Sequence, residues 1–99
     1  MKKTTLLLCM LAMAISAFSQ DYLKLMSYNV RNTRGMDGIH NIQRVANVII
    51  NEAPDVVAVQ ELDSMTTRSN QKYVLGEIAE RTQMHASYAP AISFQGGKY

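Results

Sequence analysis

Two polar residues end apolar runs in this chain, and chemistry is most readily built from them. Asn29 closes the run Leu23-Lys24-Leu25-Met26-Ser27-Tyr28-Asn29, and Glu61 closes Asp55-Val56-Val57-Ala58-Val59-Gln60-Glu61. A carboxylate and a carboxamide brought to one sheet edge form half of a hard-cation site. Mg²⁺ keeps several of its waters and is held by very few carboxylates together with substrate phosphate oxygens. Arg31 and Arg34 follow Asn29 in one polar segment, where a guanidinium could meet a phosphate with paired N–H donors. Plainer readings stand beside these. Glu61 could be a solvated acid where a strand meets a loop, Asn29 a turn-starting residue bonded to its own backbone, and the arginines a solvated loop face. Asp63 reads as a loop acid or helix-side cap, and His40 and His85 as surface or packed residues rather than ligands.

The elements that must position these residues follow from periodicity. In residues 22–30, Leu23, Leu25, Ser27 and Asn29 alternate with their neighbours, which predicts a strand. Residues 31–38 are polar, contain Gly35 and Gly38, and read as a loop. Ile42, Val45, Ala46, Ile49 and Ile50 then recur at helical spacing, with Asn41 as N-cap and Pro54 as stop. Residues 55–61 form a nearly continuous β-branched run, which suits a strand buried on both faces, as parallel sheets require. A second helix, capped by Ser69 or Asn70, would carry Val74, Leu75, Ile78, Ala79 and Thr82 on one stripe. Residues 85–94 are a weaker strand candidate interrupted by Pro90, and Gly96-Gly97-Lys98-Tyr99 reads as a turn leading into something further. Thr66-Thr67-Arg68-Ser69 reads as capping chemistry rather than a phosphate loop, and Gly35-Met36-Asp37-Gly38 lacks dinucleotide-binding spacing.

The order β-α-β-α-β predicts a mainly parallel α/β sheet with right-handed crossovers. Strands joined by the helix between them would bring Asn29 and Glu61 out at the same carboxyl edge, where such sheets bind ligands. Two helices cover only one face of the sheet well, so the chain reads as truncated before its core is finished.

The run from Leu23 to Arg31, followed after an amphipathic helix by Pro54-Asp55-Val56-Val57-Ala58-Val59-Gln60-Glu61-Leu62-Asp63, resembles the opening of the endonuclease/exonuclease/phosphatase superfamily. That family includes deoxyribonuclease I-like nucleases, abasic-site endonucleases, inositol polyphosphate phosphatases and bacterial sphingomyelinases. The terminal Gly96-Gly97-Lys98-Tyr99 resembles the family's entry into its next core strand. The resemblance implies a four-layered α/β sandwich, here only its N-terminal part, that cleaves phosphate esters with Mg²⁺ or Mn²⁺. It implies that Glu61 is the metal-binding glutamate and that Asn29 is the active-site asparagine that helps position the metal or the scissile phosphate. Arg31, the candidate phosphate contact, lies where several nucleases of the family carry an acidic or amide residue, so the resemblance does not carry over a nuclease-type second metal contact. The family's later Asp-and-Asn motif and its Asp-His pair have no counterpart in residues 1–99. His40 and His85 occupy neither place in the motif order.

Composition narrows the partners. Lys+Arg number 10 against 8 Asp+Glu, and the formal charge of +2 is carried by Lys2 and Lys3. Both lie in residues 1–19, which read as a secretory signal: a basic start, an apolar core over residues 6–17, and the small residues Ala17 and Ser19 before Gln20. That core is too short for a stable membrane span, which takes roughly 20 apolar residues. Residues 20–99 are then neutral, so charge does not support nucleic acid as a partner, although a nucleic-acid phosphoester stays possible. Cys9, the only cysteine, falls within the signal, leaving neither a disulfide nor a thiolate metal site. The expected protein is an exported phosphoesterase, periplasmic or extracellular, inactive as this fragment and a monomer when complete. The alternative is a small secreted α/β binding or interaction module without catalytic activity.

Overall fold

The structure, a computed structural model, describes residues 1–17 and 21–99. Ser19 and Gln20, where cleavage is predicted, lie outside the described residues. The apolar N-terminal segment forms helix α1 (Lys2–Ala17), and among the described residues no helix is long and apolar enough to cross a membrane.

The rest is mixed α/β. Strand β1 (Leu25–Asn29) pairs in parallel with β2 (Val56–Gln60), Leu25 opposite Val56 and Asn29 opposite Gln60. Helix α2 (Ile42–Glu52) connects them. It begins where expected, because the Asn41 side chain accepts a hydrogen bond from the Arg44 amide at 3.1 Å, filling one of the donor positions a helix start leaves open. It ends at Ala53, left-handed at φ 48°, just before Pro54, which cannot continue a helix.

Helix α3 (Val74–Thr82) starts later than the predicted cap. Ser69 closes a separate short 3₁₀ turn, Thr67–Ser69, and Asn70 ends it in the left-handed region; Tyr73 is the N-cap residue instead. Local hydrogen bonds among Thr66, Ser69 and Gln71 turn the chain before it can propagate a helix.

Val45, Ala46 and Ile49 of α2 and Val74 and Ile78 of α3 are buried, and with Val30 and Leu62 they form the core. Met26, Tyr28, Val57 and Val59 cover it from the sheet. Burying a side chain such as Ile49 contributes about 1.5–3 kcal/mol, and Ile49→Ala would remove that and leave a cavity. Ile50, placed on the buried stripe by spacing, is half exposed.

Both helices lie on one side of the sheet, which corrects the expected two-faced burial of residues 55–61. Leu25 is 68% exposed and Val56 52%, so among the described residues nothing covers the opposite face at these positions. The third predicted strand also needs correction. Residues 85–91 have no regular structure, and only β3 (Ser93–Phe94) is extended, pairing antiparallel with β4 (Gly97–Lys98). The reason lies in the turn: Gln95 and Gly96 both have positive φ, 45° and 80°, the geometry of a two-residue hairpin. Gly97 is required as well, because a Cβ there would stand 2.1 Å from the Ser64 carbonyl oxygen. That close approach lets Lys98 exchange backbone hydrogen bonds with Ser64 (2.8 and 2.9 Å), docking the hairpin on the loop after β2.

Candidate functional site

The parallel register brings the two sequence-predicted residues together. Asn29 is the last residue of β1 and Glu61 follows the last residue of β2. Asn29 Nδ2 donates to Glu61 Oε1 at 2.8 Å, and Asn29 Oδ1 accepts from the Arg31 amide at 3.0 Å. The carboxamide orientation is thereby fixed, since a carboxylate needs a donor and a backbone N–H an acceptor. Asn29 is thus at once a turn residue bonded to its own backbone and the partner of Glu61.

The backbone around this pair is strained. Arg31, Asn32 and Thr33 have φ of 48°, 50° and 64°, and Glu61 has 59°. Left-handed conformations cost roughly 1–2 kcal/mol per residue away from glycine, and a β-branched Thr33 there is a genuine outlier. Such strain persists only where surroundings over-determine it. Here the Asn32 amide donates to the Glu61 carbonyl at 2.7 Å and the Asn41 amide to the Thr33 carbonyl at 3.0 Å. His40 Nδ1 donates to the Asn32 carbonyl at 2.7 Å.

Asp63, read from sequence as a loop acid or cap, is completely buried. Arg68 grips it with two prongs, Nε to Oδ2 at 2.6 Å and Nη2 to Oδ1 at 2.7 Å. The Thr66 hydroxyl donates to Oδ2 at 2.7 Å. Asn32 brackets the residue, its Nδ2 donating to Oδ2 at 3.0 Å and its Oδ1 accepting from the Asp63 amide at 3.3 Å. Arg68 beside it holds the Asp63 carboxyl below the usual carboxylate range although burial pushes it up, and Asp63 in turn raises the Arg68 guanidinium. The guanidinium also lies 4.5 Å from the ring centre of Phe94 and 5.1 Å from that of Tyr99, a cation–π arrangement supplied by the docked hairpin. The segment 66–69 therefore serves this ion pair and not the start of α3. Sequence reasoning missed Asn32, Asp63 and Arg68; the only local signal was an acid followed five residues later by an arginine.

Arg31 is exposed, and no described residue bonds its guanidinium. Arg34 joins His40 through a backbone bridge. His85 lies on an 820 Å³ groove along the open edge of β2. Among the described residues no group of three or more His, Cys, Asp or Glu side chains is arranged to hold a metal. The donor set still fits Mg²⁺ or Mn²⁺ in one respect. Glu61 is exposed, and only its Oε1 is engaged by a described residue, which leaves one carboxylate oxygen for an ion that otherwise keeps water and phosphate oxygens.

Three comparisons bear on kinship. No family model matches the chain. Neither a curated protein nor a solved structure matches it. The functional reading therefore stands on the residues and their geometry.

Proposed function

We propose that this chain is the N-terminal part of an exported Mg²⁺- or Mn²⁺-dependent phosphoesterase with the endonuclease/exonuclease/phosphatase architecture. The observation that carries the proposal is the 2.8 Å contact between Asn29 and Glu61 at the carboxyl end of a parallel strand pair, where α/β sheets bind ligands. The bare sheet face at Leu25 and Val56 supports a further layer, as a four-layered sandwich has.

In this reading Glu61 would hold the ion, with Asn29 bonded to its Oε1 and fixing the carboxylate's orientation, and Asn29 would help position the scissile phosphate. Arg31, exposed in the same turn and bonded through its guanidinium by no described residue, would neutralise charge on the phosphate ester. A Mg²⁺ or Mn²⁺ held there would supply Lewis-acid stabilisation of charge on a phosphoryl oxygen during hydrolysis of the ester. The substrate is a phosphate ester, mono- or diester.

Substoichiometric Mn²⁺ added to the chain should broaden the NMR amide signals of Val30, Arg31 and Glu61 before any others, and Glu61→Gln should abolish that selectivity. Uniform broadening, or the same pattern in the variant, would remove Glu61 from the site. The closed cluster in which Ala46 and Ile49 are almost fully buried favours a second reading, a small secreted α/β interaction module without catalysis. That reading predicts a cooperative melt with no selective Mn²⁺ response.

A further inference from the structure

We infer that Asn32, Asp63 and Arg68 are positioning residues that set the geometry of the Asn29–Glu61 pair, acting through the left-handed backbone and not through contact with substrate. Their role as described rests on the proposed metal-binding reading of that pair, but their mechanical part can be tested without metal.

Asn29 and Glu61 are both exposed, so neither is held by packing. What holds them is backbone direction at two strand ends, and at both ends that direction is left-handed. Glu61 keeps its conformation because its carbonyl accepts the Asn32 amide. Asn29 keeps its rotamer because its Oδ1 accepts the Arg31 amide, one residue earlier in the same left-handed turn. The Glu61 support thus comes from Asn32 itself, and the Asn29 support from the residue directly before it in the turn that Asn32 continues.

Asn32 in turn has its carboxamide bonded to both the side chain and the amide of Asp63. Asp63 cannot move, since it is buried and gripped by the Arg68 fork, whose far side is covered by Phe94 and Tyr99. Support thus runs from the hairpin aromatics to Arg68, Asp63 and Asn32, and divides there to Glu61 and, through Arg31, to Asn29. A buried ion pair used only to hold the fold together would need no link to the strand β1 loop. This one reaches across to it from 31 residues away in sequence, and ends on the two side chains proposed to do chemistry.

Asn32→Gly is the sharp variant, because glycine accepts φ near 50° without cost while the bracket on Asp63 is lost. Arg68→Lys keeps the charge but loses the fork and covers the case in which Asn32→Gly fails to fold. The readout is the Asn29 side-chain NH₂ signal, without metal and then with substoichiometric Mn²⁺. In either variant, with the amides of Val45, Ile49 and Ile78 unshifted, exchange of the Asn29 NH₂ protons with water should accelerate about fivefold, the factor equivalent to one ordinary hydrogen bond of ~1 kcal/mol. Selective Mn²⁺ broadening at Glu61 should fall with it. Unchanged Asn29 exchange in a folded variant would overturn the inference. A wild-type chain with protected Asn29 protons but no Mn²⁺ selectivity would instead overturn the metal reading and leave the positioning role standing on the exchange result.

Discussion

The two ends of the β1–β2 strand pair are built on opposite principles. At the amino end the Lys24 amide donates to Asp55 Oδ2 at 2.7 Å, the Asp55 amide returns to the Lys24 carbonyl at 2.9 Å, and Lys24 Nζ reaches the Glu52 carbonyl. All of this is exposed, and the one left-handed residue nearby, Ala53, is an ordinary helix end. At the carboxyl end the loop residue Asn32 is bonded to a fully buried carboxylate, and strained residues follow both strands. Solvated hydrogen bonds suffice to pair two strands. Holding two exposed side chains in one orientation calls for a buried anchor, and that difference is what the proposed site at the carboxyl end rests on.

The largest test of the contrast is removal of the anchor. Asp63→Ala leaves Arg68, Thr66 and Asn32 without their partner and should cost about 3 kcal/mol, the lower end for a broken buried pair because Arg68 is itself partly exposed. Asp55→Ala at the other end should cost about 1 kcal/mol, one exposed hydrogen bond. Urea titration of both variants measures the gap, and equal losses would erase the distinction between the ends.

Glycine at each end's left-handed position gives the next effect. Ala53→Gly should gain about 1 kcal/mol by relieving strain at a helix C-terminus. Glu61→Gly relieves the same kind of strain, so its melting temperature should hold or rise while selective Mn²⁺ broadening disappears. A stability gain that comes with loss of a site is the behaviour of a residue kept for function. A marked fall in stability for Glu61→Gly would mean that its side chain, not its function, justifies the conformation.

The smallest effect is electrostatic and lies beside the carboxyl end. Two hydrogen bonds from Arg44, at 2.9 and 3.0 Å, and one from the Ile39 amide hold the Asp37 carboxyl down at about 2, against an ordinary 3.8. A depressed carboxylate favours the folded state above its unfolded value, and that contribution is lost as pH falls from near 4 through 2. Carboxyl NMR shifts should therefore give Asp37 a midpoint near 2, with the amides of Gly35 and Ile39 following it. A midpoint at 3.8 would show the loop is not tied to α2 in solution.

Much of this architecture was legible in the amino-acid sequence, and the residues explain why. Val45, Ala46 and Ile49 recur at helical spacing between an asparagine cap and a proline, all of it local information, so α2 falls where periodicity places it. The alternation in β1 and the strand–helix–strand order were enough to bring Asn29 and Glu61 to one edge. Residues 85–94 misled because a proline-broken apolar stretch carries no information about pairing, and pairing was decided by the turn at Gln95 and Gly96 and by a glycine small enough to meet Ser64.

What the sequence alone determined was which residues could form elements and which polar residues would end them, because helix spacing, strand alternation and caps act over a few neighbours. Only the tertiary structure decided that Asp63 is buried and that Asn32 is its partner. Burial of a charge depends on the simultaneous arrival of Arg68, Thr66 and a loop 31 residues away, and no single stretch of chain contains that conjunction.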